Sequence, residues 1–394
     1  MSHKAKSANG YFTSEGTGEH QFWIFHTDQL PPHPAIILDP PLQALHARAS
    51  YALGMLNVLA RRSTLDVELF LESFHRSEAV YSSQIEGLKS SFSDLIQYEN
   101  RSHDTAAPSD VRLVSNYVAA MHHGLDSVRS GTLPLSLRLI RELHDILLEG
   151  EARTAHIRGN FRTTQVWIGG RSPQTAAFVP QPANEVLDAL SNVEAFIHTP
   201  AAQFDPLLKA AIVHAQFETI HPFLDGNGRI GRLLISLMLC SDDLIDQPFI
   251  SPSLFVVQNR SGYYGALQGL REESGWTKWI EYFLTAIDCS ARQAIDTLEK
   301  TEAIVQNDRS RLHGLTSSKI AERVLLAASR DVMIQPRLIA TELAASHQSV
   351  MTSIGRLVSL GILDESTGGS RDRKYVYRQL LALLEDRPTS RRWD

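Results

Sequence analysis

The sequence predicts a mostly α-helical protein with one short β-hairpin near its middle and a winged helix-turn-helix module at its C-terminal end. Three observations predict it. Leucine, isoleucine and alanine recur at three- and four-residue intervals over most of the chain. One stretch, 158–182, breaks that rhythm with β-like pieces separated by glycine and proline. The last 80 residues change pace again, giving three short helical patterns and then two β-like pieces.

Residues 1–27 are polar and rich in glycine and serine. They have no apolar h-region, so they read as a flexible tail and not a signal peptide. "DQLPPHPAIILDPP" (28–41) is a proline-rich, extended entry. Helical patterns follow at about 41–61, 65–83 and 86–99, then in "SDVRLVSNYVAAMHHGLDSV", "LSLRLIRELHDILLEG" and "ANEVLDALSNVEAFIH". Between the last two, Thr163–Ile168 and Ala176–Val179 are predicted as the strands of a hairpin, with Gly169, Gly170 and Pro173 between them. Helical signals resume to about 305, and the polar "QNDRSRLHG" reads as a boundary. The domains expected are a tail at 1–27, an N-terminal helical region at 28–110, a core at 111–305 and a winged module at 312–394.

With 394 residues and 43% hydrophobic content the chain is an ordinary globular protein of more than one domain. Its net charge of −6 gives no general reason to bind nucleic acid or an anionic membrane, so any basic site is local. Two cysteines, Cys240 and Cys289, cannot supply a disulfide framework or thiolate cage. No apolar run approaches the ~20 residues that cross a bilayer. The expectation is a cytoplasmic protein.

One segment carries chemistry. "DPLLKAAIVHAQFETI" (205–220) begins as a helix, with Asp205 as N-cap and Pro206 in the first turn. Pro222 ends it. "RIGRLLISLML" is helical again, so "HPFLDGNGRIGR" (221–232) is a loop leading into a new helix near Gly228. Its glycines let backbone N–H groups converge beside the unpaired donors of the helix start. Arg229 and Arg232 lie one turn apart there. Two cations at a helix N-terminus oppose its macrodipole at roughly 0.3–1 kcal/mol each unless an anion compensates, which points to phosphate. Asp225 offers hard oxygen for Mg²⁺, and His221 can accept a proton near neutral pH. The combination points to phosphoryl or nucleotidyl transfer to a hydroxyl. "GNGRIG" also matches a dinucleotide fingerprint, but it follows a helix instead of a strand. His214, Glu218 and His221 share a helical face as zinc ligands would, yet without the HExxH pattern.

"HPFLDGNGRIGR" resembles the motif of the Fic (filamentation induced by cAMP) family, HxFx(D/E)GNGRxxR, at every specified position. The resemblance implies a Fic-type helical core with a β-hairpin flap, and transfer of AMP from ATP, with Mg²⁺, to a Ser, Thr or Tyr hydroxyl of a target protein. His221 would be the general base, Asp225 the metal ligand and Phe223 a buried anchor. Gly226, Asn227 and Gly228 would line the anion hole, and Arg229 and Arg232 would bind phosphates. "FRTTQVWIGG" resembles the flap, so Thr163, Thr164, Gln165, Val166, Trp167 and Ile168 would align the target. "NRSGYY" resembles the segment over the nucleoside, with Tyr264 as the contact.

Ser82-x-x-x-Glu86-Gly87 resembles the family's inhibitory motif, (S/T)xxxE(G/N), in the subgroup with an N-terminal inhibitory helix and a C-terminal winged helix. Glu86 would pair with Arg232, a charge-assisted bond of roughly 1.5–3 kcal/mol, and block the γ-phosphate site. In the C-terminal module, helices at 337–344 and 347–360 would form the helix-turn-helix. Gln348, Ser349 and Arg356, with Arg371, Arg373 and Lys374 of the wing, are the candidate DNA contacts, and a protein partner is the equal alternative. The rival functions are a nucleotide-sensing DNA-binding regulator, removal of AMP, and transfer of another phosphoryl or nucleotidyl group. The target could be the chain itself, no membrane partner is expected, and a homodimer is compatible with the sequence.

Overall fold

The computed structural model describes residues 7–63, 67–100, 109–271, 275–366 and 373–385. The chain starts with an antiparallel hairpin, β1 (Gly10–Glu15) and β2 (Phe22–Thr27), in register from Gly10↔Thr27 to Glu15↔Phe22. This corrects the expected tail over its described part. The polar, glycine-rich composition masked the run Phe22-Trp23-Ile24-Phe25, whose aromatic and β-branched side chains suit a strand. Ile24 and Phe25 are buried, and the Phe25 N–H donates to Val179 O at 2.9 Å, binding the hairpin to the middle of the chain.

Eleven helices follow: α1 (Pro40–Arg62), α2 (Val67–Ile85), α3 (Phe92–Glu99), α4 (Ser109–Arg129), α5 (Leu137–Leu147), α6 (Val186–Ile197), α7 (Pro206–Ile220), α8 (Asn227–Ser241), α9 (Pro252–Gln258), α10 (Arg260–Gly269) and α11 (Gly275–Leu315). Asp39 caps α1 by accepting from Leu42 N, with proline in the first turn. The stripe Leu42, Leu45, Ala49, Ala52, Leu53, Leu56, Ala60 faces inward, and α1 packs along α11. Ser91 and Asp94 form a capping box at α3, and Ser136 caps α5.

At the centre lie α7 and α8, packed on each other. α7 is apolar on every side and almost wholly buried. Its one lysine, Lys209, is buried with it and donates to Thr199 O and Asp242 Oδ1, both at 2.9 Å. Trp279 of α11 closes the layer, with Nε1 donating to Ala211 O at 2.8 Å.

After α11 come α12 (Lys319–Asp331), β3 (Met333–Ile334), α13 (Pro336–Glu342), α14 (His347–Ser359), β4 (Asp364–Glu365), β5 (Tyr375–Val376) and α15 (Arg378–Glu385). The three short strands form an antiparallel sheet in the order β3-β5-β4. The final helix was not expected from the sequence. The helix expected to stop near 305 continues, since α11 runs unbroken through 306–314. Val305, Asp308 and Leu312 are buried there, and Asp308 accepts from Tyr377 Oη at 2.7 Å and Arg311 Nη1 at 2.7 Å. A helix face that buries one residue per turn tolerates a polar remainder, and that remainder dominated the composition of "QNDRSRLHG". Phe92 and Ile96 of α3 share a cluster with Val332, Met333 and Val376.

If the N-terminal hairpin is part of the core, Phe25→Ala should cost about 3–5 kcal/mol. Urea unfolding followed by circular dichroism measures this, and a loss within ±0.5 kcal/mol, typical of surface positions, would return residues 10–27 to the status of a tail.

Candidate active site

Helix α7 starts on Asp205, whose carboxylate accepts from Leu208 N at 2.9 Å. It ends on His221, which takes the left-handed conformation (φ 51°, ψ 62°), unusual for a residue with a Cβ. Arg162 holds that end. Its Nε donates to His221 O at 2.9 Å and its Nη2 to Ile220 O at 3.2 Å and Gln181 O at 2.6 Å. Its own N–H donates to Pro222 O at 2.8 Å. A buried guanidinium thus satisfies the last carbonyls of α7 and ties the motif to the segment leading into the expected flap.

Beyond Pro222 the loop is cross-braced. Asn227 Oδ1 accepts from Phe223 N and its Nδ2 donates to Phe223 O, both at 2.8 Å. The side chain expected to line an anion hole is therefore committed to the loop, and only its backbone N–H remains for a ligand. Phe223 is fully buried and stacks on His144 at 3.7 Å, with rings 5° from parallel. His144 Nδ1 accepts from Gly159 N and its Nε2 donates to Asp225 O, both at 3.0 Å, which fixes one neutral tautomer. Burial pushes its pKa down to about 4. Gly226 has φ +79° and is the N-cap of α8; it supplies no side-chain cap to the first-turn N–H groups of α8.

The two arginines differ. Arg229 is buried, reaches Asp225 Oδ1 only at 3.4 Å, and leaves Nε and Nη1 without partners. A buried cation with unused donors suits an incoming anion. Arg232 is 2% exposed and engaged: Nε donates to Ser82 Oγ (2.9 Å), and Nη2 to Ser82 O (2.8 Å) and Glu86 Oε1 (2.7 Å). Ser82 sits in the last turn of α2, and Glu86 just beyond it, where Gly87 (φ +90°) ends the helix. Glu86 lies directly over the start of α8: a Cβ on Gly228 would come 2.1 Å from its Oε1.

Burial raises the Glu86 carboxyl, but the charge and hydrogen bond of Arg232, with Arg229, outweigh it and hold it below the ordinary value. The pair is therefore intact at neutral pH, and its contribution is lost only as pH falls through that depressed value. In a sealed interior, breaking such a pair from one side costs about 3–5 kcal/mol; the 36% exposure of Glu86 reduces that here. Burial, assisted by Arg162, pushes His221 down to about 4. Its Nδ1 faces Glu218 O at 3.4 Å, which leaves Nε2 to carry the lone pair. Burial lifts Glu218 to about 7.

Other expected site residues are less tightly placed. Tyr264 is half-exposed beside Tyr263, with Arg260 5.7 Å from its ring centroid. The expected flap is reduced to a single bridge between Ile168 and Phe178, with Gly169 and Gly170 turning at positive φ. A longer ladder is interrupted where Gln165 Nε2 donates to Pro180 O at 2.8 Å, and Pro180 has no N–H to return. Thr163, Thr164, Trp167 and Ile168 are exposed, and Gln165 and Val166 half-buried. On α14, Gln348 is exposed while Ser349 and Arg356 are half-buried; Arg373 Nε lies 3.6 Å from Glu365, Lys374 O accepts from Ser366 N, and Arg371 lies outside the described residues. The zinc reading fails, since His214 spends its nitrogens on Gly231 O and Tyr263 Oη, each at 2.9 Å. The dinucleotide reading fails because α7, a helix, precedes the glycines. Sequence reasoning missed His144, Arg162 and the buried Glu78, which accepts from Ser251 Oγ (2.8 Å) and Ser253 Oγ (2.5 Å). No local pattern marks them, because each acts on loops far away in sequence.

An all-helical core that presents a helix-capping histidine, a glycine-rich loop and an uncapped, arginine-bearing helix start belongs to the class of loop–helix anion sites. Comparison with known families is specific: residues 134–239 match the Fic/DOC family and residues 43–126 its N-terminal family, so the chain is a member of the Fic/DOC family. It is 26% identical over 190 residues to the protein adenylyltransferase fic-1 of Caenorhabditis briggsae, covering 48% of this chain and 34% of that protein. It is 33% identical over 114 residues to the protein adenylyltransferase Fic of Aedes aegypti, covering 29% and 20%. The match thus spans about a third of one of these relatives and a fifth of the other. The fold is that of a Fic family protein from Desulfovibrio desulfuricans G20, with TM-score 0.57, 18% identity, and coverage of 88% of this chain and 98% of that one.

Asn227→Ala would strand the N–H and C=O of Phe223 in a buried loop. A loss of about 2–6 kcal/mol is expected, from two buried groups at about 1–3 kcal/mol each. Denaturant midpoints read it out, and an unchanged midpoint would mean that the loop holds its shape without this amide.

Proposed function

We propose that the chain transfers AMP from ATP to a hydroxyl of a target protein, and that Glu86 restrains it. The observation that carries this reading is the Glu86–Arg232 pair lying over Gly228, where a carboxylate fills the anion site of the loop–helix junction. A triphosphate entering there meets the free first-turn donors of α8 and the spare donors of Arg229, and takes Arg232 from Glu86. The names of the curated relatives support AMP as the group moved.

In the reaction, the target hydroxyl gives its proton to His221 Nε2 as its oxygen bonds to the α-phosphorus. The bond from that phosphorus to the α–β bridging oxygen breaks, and pyrophosphate leaves. His221 is neutral before ATP arrives, and the negative phosphates shift its pKa upward toward the range of an effective base. Asp225 fits one contact to Mg²⁺: its carboxylate is 54% exposed at the mouth of the loop, and only Oδ1 is drawn to Gly226 N and Arg229. Mg²⁺ bound there would offset phosphate charge. Trp167 and Ile168, exposed before the Gly169–Gly170 turn, would align an extended stretch of target, and Tyr264 would flank the nucleoside.

The order α12-β3-α13-α14-β4-β5 supports a winged helix in the C-terminal module. Its positive footprint is thin. Arg356 is half-buried, Arg373 faces Glu365, and Ser353 is buried with its hydroxyl on Ser349 O. A protein partner is the better-supported reading of that surface.

With Mg²⁺ and α-³²P-ATP, the Glu86→Gly chain should label itself or a lysate protein at least ~10-fold more than the unaltered chain. Adding His221→Ala should remove ~10²–10⁴-fold of that signal, and γ-³²P-ATP should give none. Label from the γ position would replace AMP transfer by phosphoryl transfer. Silence in both, with nucleotide bound, would sink the enzyme reading and leave a nucleotide sensor.

A further inference from the structure

Away from the motif loop, α2 and α4 bring Glu72, His75 and His122 together. His75 Nδ1 lies 2.9 Å from His122 Nε2, and His122 Nε2 lies 3.0 Å from Glu72 Oε1. The three ligand atoms all fall within 4.8 Å of one another, and among the described residues no other group of three such side chains does so. His75 is 2% exposed, while His122 and Glu72 are open on one side, so the cluster has a buried floor and an accessible mouth.

The protonation pattern is unusual. Two N–H groups cannot face each other at 2.9 Å, so a single proton lies between the two imidazoles. If His122 Nε2 carries it, that N–H is shared between Glu72 and His75 Nδ1. The other proton of His75 then sits on Nε2, which is buried without a partner. If His75 carries the shared proton, the lone pair of His122 faces the carboxylate. Either way three acceptor atoms converge on a point that one proton serves poorly. Of the two nearby cations, Arg76 is paired with the Glu99 carboxylate at 2.8 Å, and Arg129 turns its Nη2 away to Asp246 O at 3.1 Å. A carboxylate and neutral imidazoles are the ligating forms of these side chains, so metal binding here would release the proton held between the two histidines.

We propose that Glu72, His75 and His122 form a transition-metal site, suited to Zn²⁺, that braces α2 against α4. Two imidazole nitrogens and one carboxylate oxygen, with a water as fourth ligand at the open mouth, match the donor set zinc takes. Mg²⁺ prefers all-oxygen octahedra and does not compete here. Zn–N and Zn–O distances near ~2.0–2.2 Å put tetrahedral ligands about 3.3 Å apart, so the two short separations open by only a few tenths of an ångström. His75 and Ser82 are seven residues apart on α2, two helical turns. The brace therefore acts on the helix that carries Ser82 and Glu86 to Arg232, though the metal site does not depend on the reading of Glu86 given above.

The test is calorimetric titration of the chelator-stripped full chain with ZnCl₂, beside His122→Ala and Glu72→Gln, whose side chains lie at the open mouth and can be changed without emptying the core. One equivalent is expected to bind, at least ~10-fold more weakly in each variant, with a rise in Tm on zinc addition that His122→Ala abolishes. Substitution by Co²⁺ should give visible bands of a tetrahedral N₂O₂ site. Absence of saturable uptake at one equivalent, or uptake and Tm shift unchanged in His122→Ala, would overturn the proposal. The same titration with MgCl₂ should give no uptake that His122→Ala alters.

Discussion

Arg232 is a cation with almost no contact with water, and the architecture around it follows from the need to surround it with acceptors. One hydroxyl, one carbonyl and one carboxylate do so, all from the last turn of α2 and the residues just beyond it. Leaving a buried guanidinium short of an anion is costly, so this contact holds the end of α2 against the start of α8. Only another anion of suitable shape can separate them without leaving the charge stranded. On the function proposed above, the contact is an exchange site, where an incoming anion takes the place of Glu86.

The rigidity that lets such an exchange be selective comes from the loop's own bracing. His221 is held in the left-handed region, and a single residue in that region is stable only where its surroundings over-determine it. Arg162 fixes the carbonyls on one side of it, Asn227 closes the loop on the other, and the stacked pair His144–Phe223 forms the floor. Each of these side chains is buried with its polar atoms engaged, so the backbone N–H groups at the start of α8 are presented in a fixed array. Arg229 is the exception, with its Nε and Nη1 buried and without partners.

Much of this was legible in the sequence, and for identifiable reasons. The α-helical class follows from periodicity that packing demands, and the α7–loop–α8 unit from Asp205, Pro206, Pro222 and the glycines, whose conformational preferences are local. The resemblance to a family motif pairs Glu86 with Arg232, and the geometry brings the two into contact and adds Ser82 as a further acceptor. What stayed hidden depends on tertiary context. His144 and Arg162 sit 77 and 59 positions before His221 and carry no spacing signature. The N-terminal hairpin was obscured because composition over 27 residues averages away a four-residue apolar run. The flap was overestimated: its sequence has alternation and a turn, but a strand also needs donors opposite it, and prolines at 180 and 182 withhold them.

Helix α11 spans 41 residues, about 60 Å at 1.5 Å per residue. Its first turns carry Trp279 and Tyr282 of the central layer, while its last turns carry Asp308 against Tyr377 near the C-terminal end. Both ends lie in one continuous hydrophobic cluster, which runs from Trp279 through Val305 and Leu312 to Tyr377. The C-terminal module is thus packed onto the same core as α7 and not strung from it on a free linker.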